Sequence, residues 1–183
     1  MVRRLVLGLL VTAVACSGGT GKHTATAPPA GIIVTSPAFA DNGAIPKEYT
    51  CDGAGQSPPL AWVGRPPGTS TYALVVDDPD APNGGFLHWV VPTIPASVTS
   101  VPAAGKPGPP VPGLVQGKNG AGGDAWQPIC PPHGARAHHY VFTVYAVGRP
   151  LALAVGATAA QVQAALRSAA LATGQLTGTY QRS

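Results

Sequence analysis

The sequence predicts a mainly β domain with one short helix near its C-terminus, and three observations carry that prediction. Short apolar runs rich in β-branched and aromatic residues recur along the chain. Gly and Pro, at 24 and 21 of 183 residues, separate those runs with turn chemistry. Only the segment from Thr158 to Ala170 combines a cap with helical spacing of apolar residues. A chain of this length makes one domain with a sizeable core.

In chain order, residues 1–15 read as a signal peptide, with Arg3 and Arg4 ahead of the apolar run Leu5 to Ala15. The run is too short to span a bilayer as a helix. It ends in "AVAC" followed by "SGGTG", which is similar to the bacterial lipobox, although Ala13 stands where Leu is usual. Cys16 is then the lipidated first residue of the mature protein. Its acyl chains, palmitate among them, hold an exported chain to the outer face of the cell membrane. An ordinary secretory signal cleaved nearby is the competing reading. Residues 16–31 hold no large apolar side chain after Cys16 and read as a flexible tether. The domain proper is residues 32–183.

Within it, strands are expected at "IIVTS" (32–36), "LAWV" (60–63), "TYALVVDD" (71–78), "LHWVVPTI" (87–94) and "YVFTVYAV" (140–147). Several are apolar on both faces and belong in a sheet covered on both sides. The stretch "VPAAGKPGPPVPG" (101–113) has too many prolines for a central strand and reads as an extended surface excursion. Thr158 and Gln161 form a capping-box pattern, apolar residues recur at Val162, Leu166, Ala169 and Ala170, and Gly174 stands where a helix would end. "QLTGTY" (175–180) follows as a last strand.

Lys and Arg number 11 against 7 acids, and 9 − 7 = +2 once Arg3 and Arg4 leave with the signal. No basic cluster exists, which excludes a nucleic-acid footprint. With Cys16 assigned to the anchor, Cys51 and Cys130 remain. In an exported chain they form a disulfide or stay as two separately packed thiols.

The chemistry concentrates in two Pro-stiffened loops. "DDPDAPNGGFLHW" (77–89) carries Asp77, Asp78 and Asp80 at a strand exit and His88 near the start of the next strand. Pro79 and Pro82 fix the backbone, and Gly84 and Gly85 let it reverse. "CPPHGARAHHYVF" (130–142) brings His133, His138 and His139 ahead of a strand. Alternation sends His138 and Tyr140 to one face and His139 to the other. By the same alternation Asp77 faces away from Asp78 and is set aside.

These motifs, with "CDGAGQSPPLAW" (51–62) and the tail "LTGTY", resemble the phosphatidylethanolamine-binding protein family, in its bacterial Raf kinase inhibitor-like branch. The resemblance spans about Ile32 to Tyr180. It implies an antiparallel β-sandwich-like core with Greek-key connections, and a cis bond at Ala81–Pro82. It also implies a small anion pocket for phosphate or phospho-head-group-like ligands, with no catalysis of its own and no cofactor. Carried over position by position, the ligand-binding residues are Asp78, Asp80, Pro82, His88, Pro132, Gly134, His138 and Tyr140.

Two departures bear on that pocket. Trp126 replaces the expected tyrosine region, and His139 stands where Arg is common, so anion affinity is expected to depend on pH. Physically, a phosphate ester needs donors, which protonated His88 or His138, the Tyr140 hydroxyl and amides near Gly134 would supply. Asp78 and Asp80 would orient the histidines or accept from an amine on the head group. The rival readings are a kinase or protease inhibitor acting through the pocket rim, and a weak Asp/His-based hydrolase. No metal is expected, because the spacings match no standard site such as HExxH.

Overall fold

The computed structural model describes residues 31–104, 110–153 and 156–183. The expected signal peptide, Cys16 and nearly all of the expected tether lie outside the described residues, as does the middle of the Pro-rich stretch. The strands are β1 (Ile33–Thr35), β2 (Gly43–Ala44), β3 (Leu60–Val63), β4 (Thr71–Asp78), β5 (Phe86–Pro95), β6 (Ser100–Val101), β7 (His138–Val147) and β8 (Ala170–Tyr180), with one helix, α1 (Ala159–Ala169). They form a three-stranded sheet, β1-β3-β6, and a five-stranded sheet, β2-β8-β7-β4-β5. Pairing is antiparallel except for the two-residue edge strand β2, which runs parallel to β8.

Strand β4 shows why the larger sheet needs two covers. Tyr72, Leu74 and Val76 face the inter-sheet core with Trp62, Trp89 and Phe142, whereas Ala73 and Val75 face a second cluster with Val162 and Leu166 of α1. Burying such side chains contributes about 1.5–3 kcal/mol each. The chain leaves β5, joins the smaller sheet as β6 and returns as β7 on the far side of β4. That crossing puts the exit of β4 and the start of β7 side by side, with Asp77 paired to Val141.

Three expectations need correction. The capping box at Thr158 and Gln161 forms, but the helix stops at Ala169 and the chain turns directly into β8. Gly174 is therefore no cap. It lies inside β8 where an added Cβ would strike the carbonyl of Ile32, so glycine is required by the close approach of two backbones. The Pro-rich stretch starts as structure, because Val101 is buried in β6 and Ala104 bridges to Ser57.

The third correction concerns Ala81–Pro82, since no cis peptide occurs among the described residues. The loop reverses otherwise: Ala81 N–H donates to Asp78 O, and Asn83, Gly84 and Gly85 follow with φ of 65°, 92° and 107°. Three consecutive left-handed residues turn the chain, leaving Pro82 free to be trans.

Candidate functional site

The two Pro-stiffened loops meet at one end of the sandwich and enclose a cavity of about 330 Å³. Its walls are Asp78, Ala81, Pro82, Asn83, Phe86 and His88 from the first loop and strand β5, and Gln127, Pro128, Cys130, Pro131, Pro132 and His138 from the second. Cys51 and Cys130 are joined in a disulfide, and the Cys51 N–H donates to Ile129 O at 2.9 Å. The second wall is also held from the C-terminal side. Gly134 N–H donates to Arg182 O at 3.2 Å, and the Arg182 guanidinium grips Asp52 at 2.9–3.1 Å.

His88 reaches the cavity through a break in strand pairing. Val76 pairs with Trp89 and Asp77 with Leu87, so His88 is the extra residue of a bulge. Strict alternation would send His88 and Trp89 to opposite faces. The bulge instead brings both rings against Trp126, with centroids at 5.9 and 6.0 Å. Phe86 and Tyr140 meet His88 edge-on at 4.9 and 5.3 Å. Its Nδ1–H donates to Gln127 O at 2.8 Å, which leaves Nε2 with no partner among the described residues. Burial in this aromatic box lowers the His88 pKa, outweighing the raising effects of the Gln127 carbonyl and Asp78. His88 is therefore a neutral imidazole at neutral pH.

His138 is held differently. Its Nδ1 lies 2.8 Å from Asp78 Oδ2, and the other carboxylate oxygen accepts from the Asp80 N–H at 2.9 Å. Both residues are buried, at 5% and 3% exposure. Asp78 thus holds His138 and not His88, and both of its oxygens are already engaged.

Five of the eight sequence-predicted residues line the cavity: Asp78, Pro82, His88, Pro132 and His138. The other three stand apart from its walls. Asp80 points outward, where its carboxylate meets Arg136 at 2.6 Å and His139 Nδ1 at 2.7 Å. Hydrogen bonding from His139 is the largest cause holding Asp80 below the usual carboxylate range. The Gly134 amide is spent on Arg182 O. Tyr140 lies behind His88, its buried hydroxyl without a partner in good hydrogen-bond geometry among the described residues; burial first, then the charge of Asp78 and its approach as an acceptor, push its pKa upward. His139 also lies outside the cavity, whereas His88 lines it.

Sequence reasoning missed Asn83, Phe86, Gln127, Pro128 and Pro131, and Gln127 matters most because its carbonyl sets the His88 tautomer. Nothing in "AWQP" signals that role. Trp126 was noted only as a departure, yet it stacks on Phe142 with a centroid distance of 6.5 Å and donates from Nε1 to Gly55 O at 3.1 Å.

Residues 35–181 match the family model for phosphatidylethanolamine-binding protein. The chain belongs to the phosphatidylethanolamine-binding protein family. A relative in Mycobacterium tuberculosis, LppC, is named as a candidate lipoprotein and is 36% identical over 196 residues, covering 96% of this chain and 92% of that one. The crystal structure of Escherichia coli YbcL, described as a new member of the mammalian family, superposes with a TM-score of 0.76 at 34% identity. It covers 83% of this chain and 99% of that one. A Chlamydia trachomatis homologue of phosphatidylethanolamine-binding protein gives the same score and identity over 84% of this chain and 99% of its own. These neighbours share the mainly β architecture of two sheets and a short helix.

Proposed function

We propose that the protein is an exported, lipid-anchored binding protein whose cavity takes a small phosphate or phospho-head-group-like anion. The observation that carries this reading is the convergence of two imidazoles on one cavity, a carboxylate-backed His138 and a neutral His88, with the buried Tyr140 hydroxyl unpartnered behind them. An anion gives the His88 Nε2 a reason to take up a proton and His138 an acceptor for its second ring nitrogen. Binding is favoured over turnover because both Asp78 oxygens are engaged within the fold and Cys130 is tied in the disulfide. The anchor at Cys16 is supported by its sequence context and by the name of the mycobacterial relative.

The test is titration of the full chain with inorganic phosphate and with phosphoethanolamine, following imidazole resonances. Saturable shifts at His88 and His138, weakened at least tenfold in His88→Ala, are expected, about 1.4 kcal/mol. No shift up to millimolar ligand would remove the pocket reading. Turnover of a phosphoester that is lost in Asp78→Asn would replace binding by hydrolysis.

A further inference from the structure

The end of the sandwich opposite the cavity has a distinct composition. Strands β4 and β7 run between the two ends: β4 starts there at Thr71 and finishes at the cavity with Asp78, and β7 runs back from His138 to Val147. That far end consists of residues 64–70 and 148–150, joined by Ser70 N–H donating to Val147 O at 2.9 Å, together with the Ile33–Val63 pair and the last turn of α1. Three of the exposed large apolar side chains lie there: Ile33 at 63%, Val63 at 64% and Leu171 at 49%. Leu171 is pushed outward by a break in register, since Ala172 pairs with Ala146 but Ala170 with Val147.

Charge divides along the same axis. Arg65, Arg149 and Arg167 are exposed at or beside this end, and none forms an ion pair among the described residues. The chain's 7 acidic residues all lie toward the other end. Three leave β4 at the cavity, Asp52 and Glu48 flank the disulfide, Asp124 pairs with Lys118, and Asp41 accepts from Thr177. Exposed aliphatic side chains beside arginines that make no ion pair among the described residues match the chemistry of an anionic bilayer surface. Residues 31–33 also lie here, because Ile32 packs its carbonyl against Gly174 and leads into the Ile33–Val63 pair.

We propose that this far end docks on an anionic membrane surface and so turns the cavity away from the bilayer. The proposal rests on the lipid-anchor reading for how the chain reaches the membrane, and on the charge and apolar pattern for which face it presents. Three arginines are too few to hold a free domain firmly, but they bias the orientation of a tethered one by roughly a hundredfold.

The experiment couples the full chain through its Cys16 thiol to a maleimide lipid, the other two cysteines being bridged. Hydrogen exchange is then compared on phosphatidylcholine vesicles with and without phosphatidylglycerol. Exchange about tenfold slower in residues 64–70 and 148–150 is expected on anionic vesicles alone, with residues 79–85 and 131–137 unchanged. The protection should vanish in Arg65→Glu/Arg149→Glu and at high salt. Protection of the cavity loops, of neither end, or of the far end equally on neutral vesicles would overturn the proposal, as would far-end protection from a second copy that scales with protein density. Mass spectrometry of Cys16 in the natural protein tests the anchor separately, and the coupled vesicles report on the docking face whichever way that measurement falls.

Discussion

The cavity wall and its outer surface are built from the same chemistry two residues apart. Inside, Asp78 meets His138 at 2.8 Å, with side chains only 4% and 6% exposed. Outside, Asp80 meets His139 at 2.7 Å and Arg136 at 2.6 Å, with those partners 51% and 78% exposed. Both carboxylates bridge the same pair of loops. The inner pair is almost wholly withdrawn from solvent, so its geometry is enforced. The outer cluster is solvated and screened, and serves as a clasp that water can substitute. Burial, and not residue type, separates the group that shapes the site from the group that merely closes it.

The strongest way to break that comparison is Asp78→Ala set against Asp80→Ala. Losing Asp78 strands a buried imidazole and should cost about 3–5 kcal/mol in denaturant unfolding, with phosphate binding abolished. Comparable losses from both substitutions would erase the distinction between inside and outside.

Tyr140→Phe sharpens the inner side. Its hydroxyl has no partner in good hydrogen-bond geometry among the described residues, so removal should leave stability unchanged within about 0.5 kcal/mol, or raise it. Anion affinity should fall by less than tenfold by calorimetry, because Tyr140 stands apart from the cavity walls and reaches a ligand only through the His88 ring it meets edge-on. A clear loss of stability would mean the hydroxyl already bonds within the fold.

Proton linkage comes next in size. Burial lowers the His88 pKa below its ordinary value near 6.5, so this imidazole is neutral at pH 7 and must gain a proton to donate from Nε2 to an anion. Affinity for sulfate, whose own charge does not titrate in this window, should rise as pH falls below 7, by at most about tenfold per unit, and level off below the lowered pKa. The rise should be absent in His88→Gln. A profile that instead followed His139→Arg would return the pH dependence to the outer cluster.

The smallest effect is expected for Asp80→Ala, at most about 1 kcal/mol after screening, and diminishing with added salt. Because hydrogen bonds from His139 lower the Asp80 pKa, its contribution is present above the ordinary carboxylate pKa and disappears as pH falls through the lowered value.

Much of this arrangement was legible in the sequence, for local reasons. β3 and β4 begin and end where their apolar runs do, and the Thr158 capping box marks the start of α1, because propensity, capping and turn residues act over a few positions. The pairing of "DDPDAPNGGFLHW" with "CPPHGARAHHY" also came from sequence, through family resemblance. Gly174 shows the limit of local reading. Its neighbourhood has the signature of a helix end, whereas its actual constraint is the backbone of Ile32, distant in the chain. His88 shows another limit, since alternation cannot reveal a bulge, and only the bulge puts His88 on the same side as Trp89.

By itself, then, the sequence determined the mainly β class, the two loops that carry the polar chemistry, and the family. Only the tertiary structure decided which partner each ionisable group keeps: Asp78 for His138, the Gln127 carbonyl for His88, and Arg136 with His139 for Asp80. The reason is physical. Propensities and turns are set by near neighbours, but burial and hydrogen-bond partnership depend on segments joined across the sheet, and those two quantities give identical side chains different surroundings.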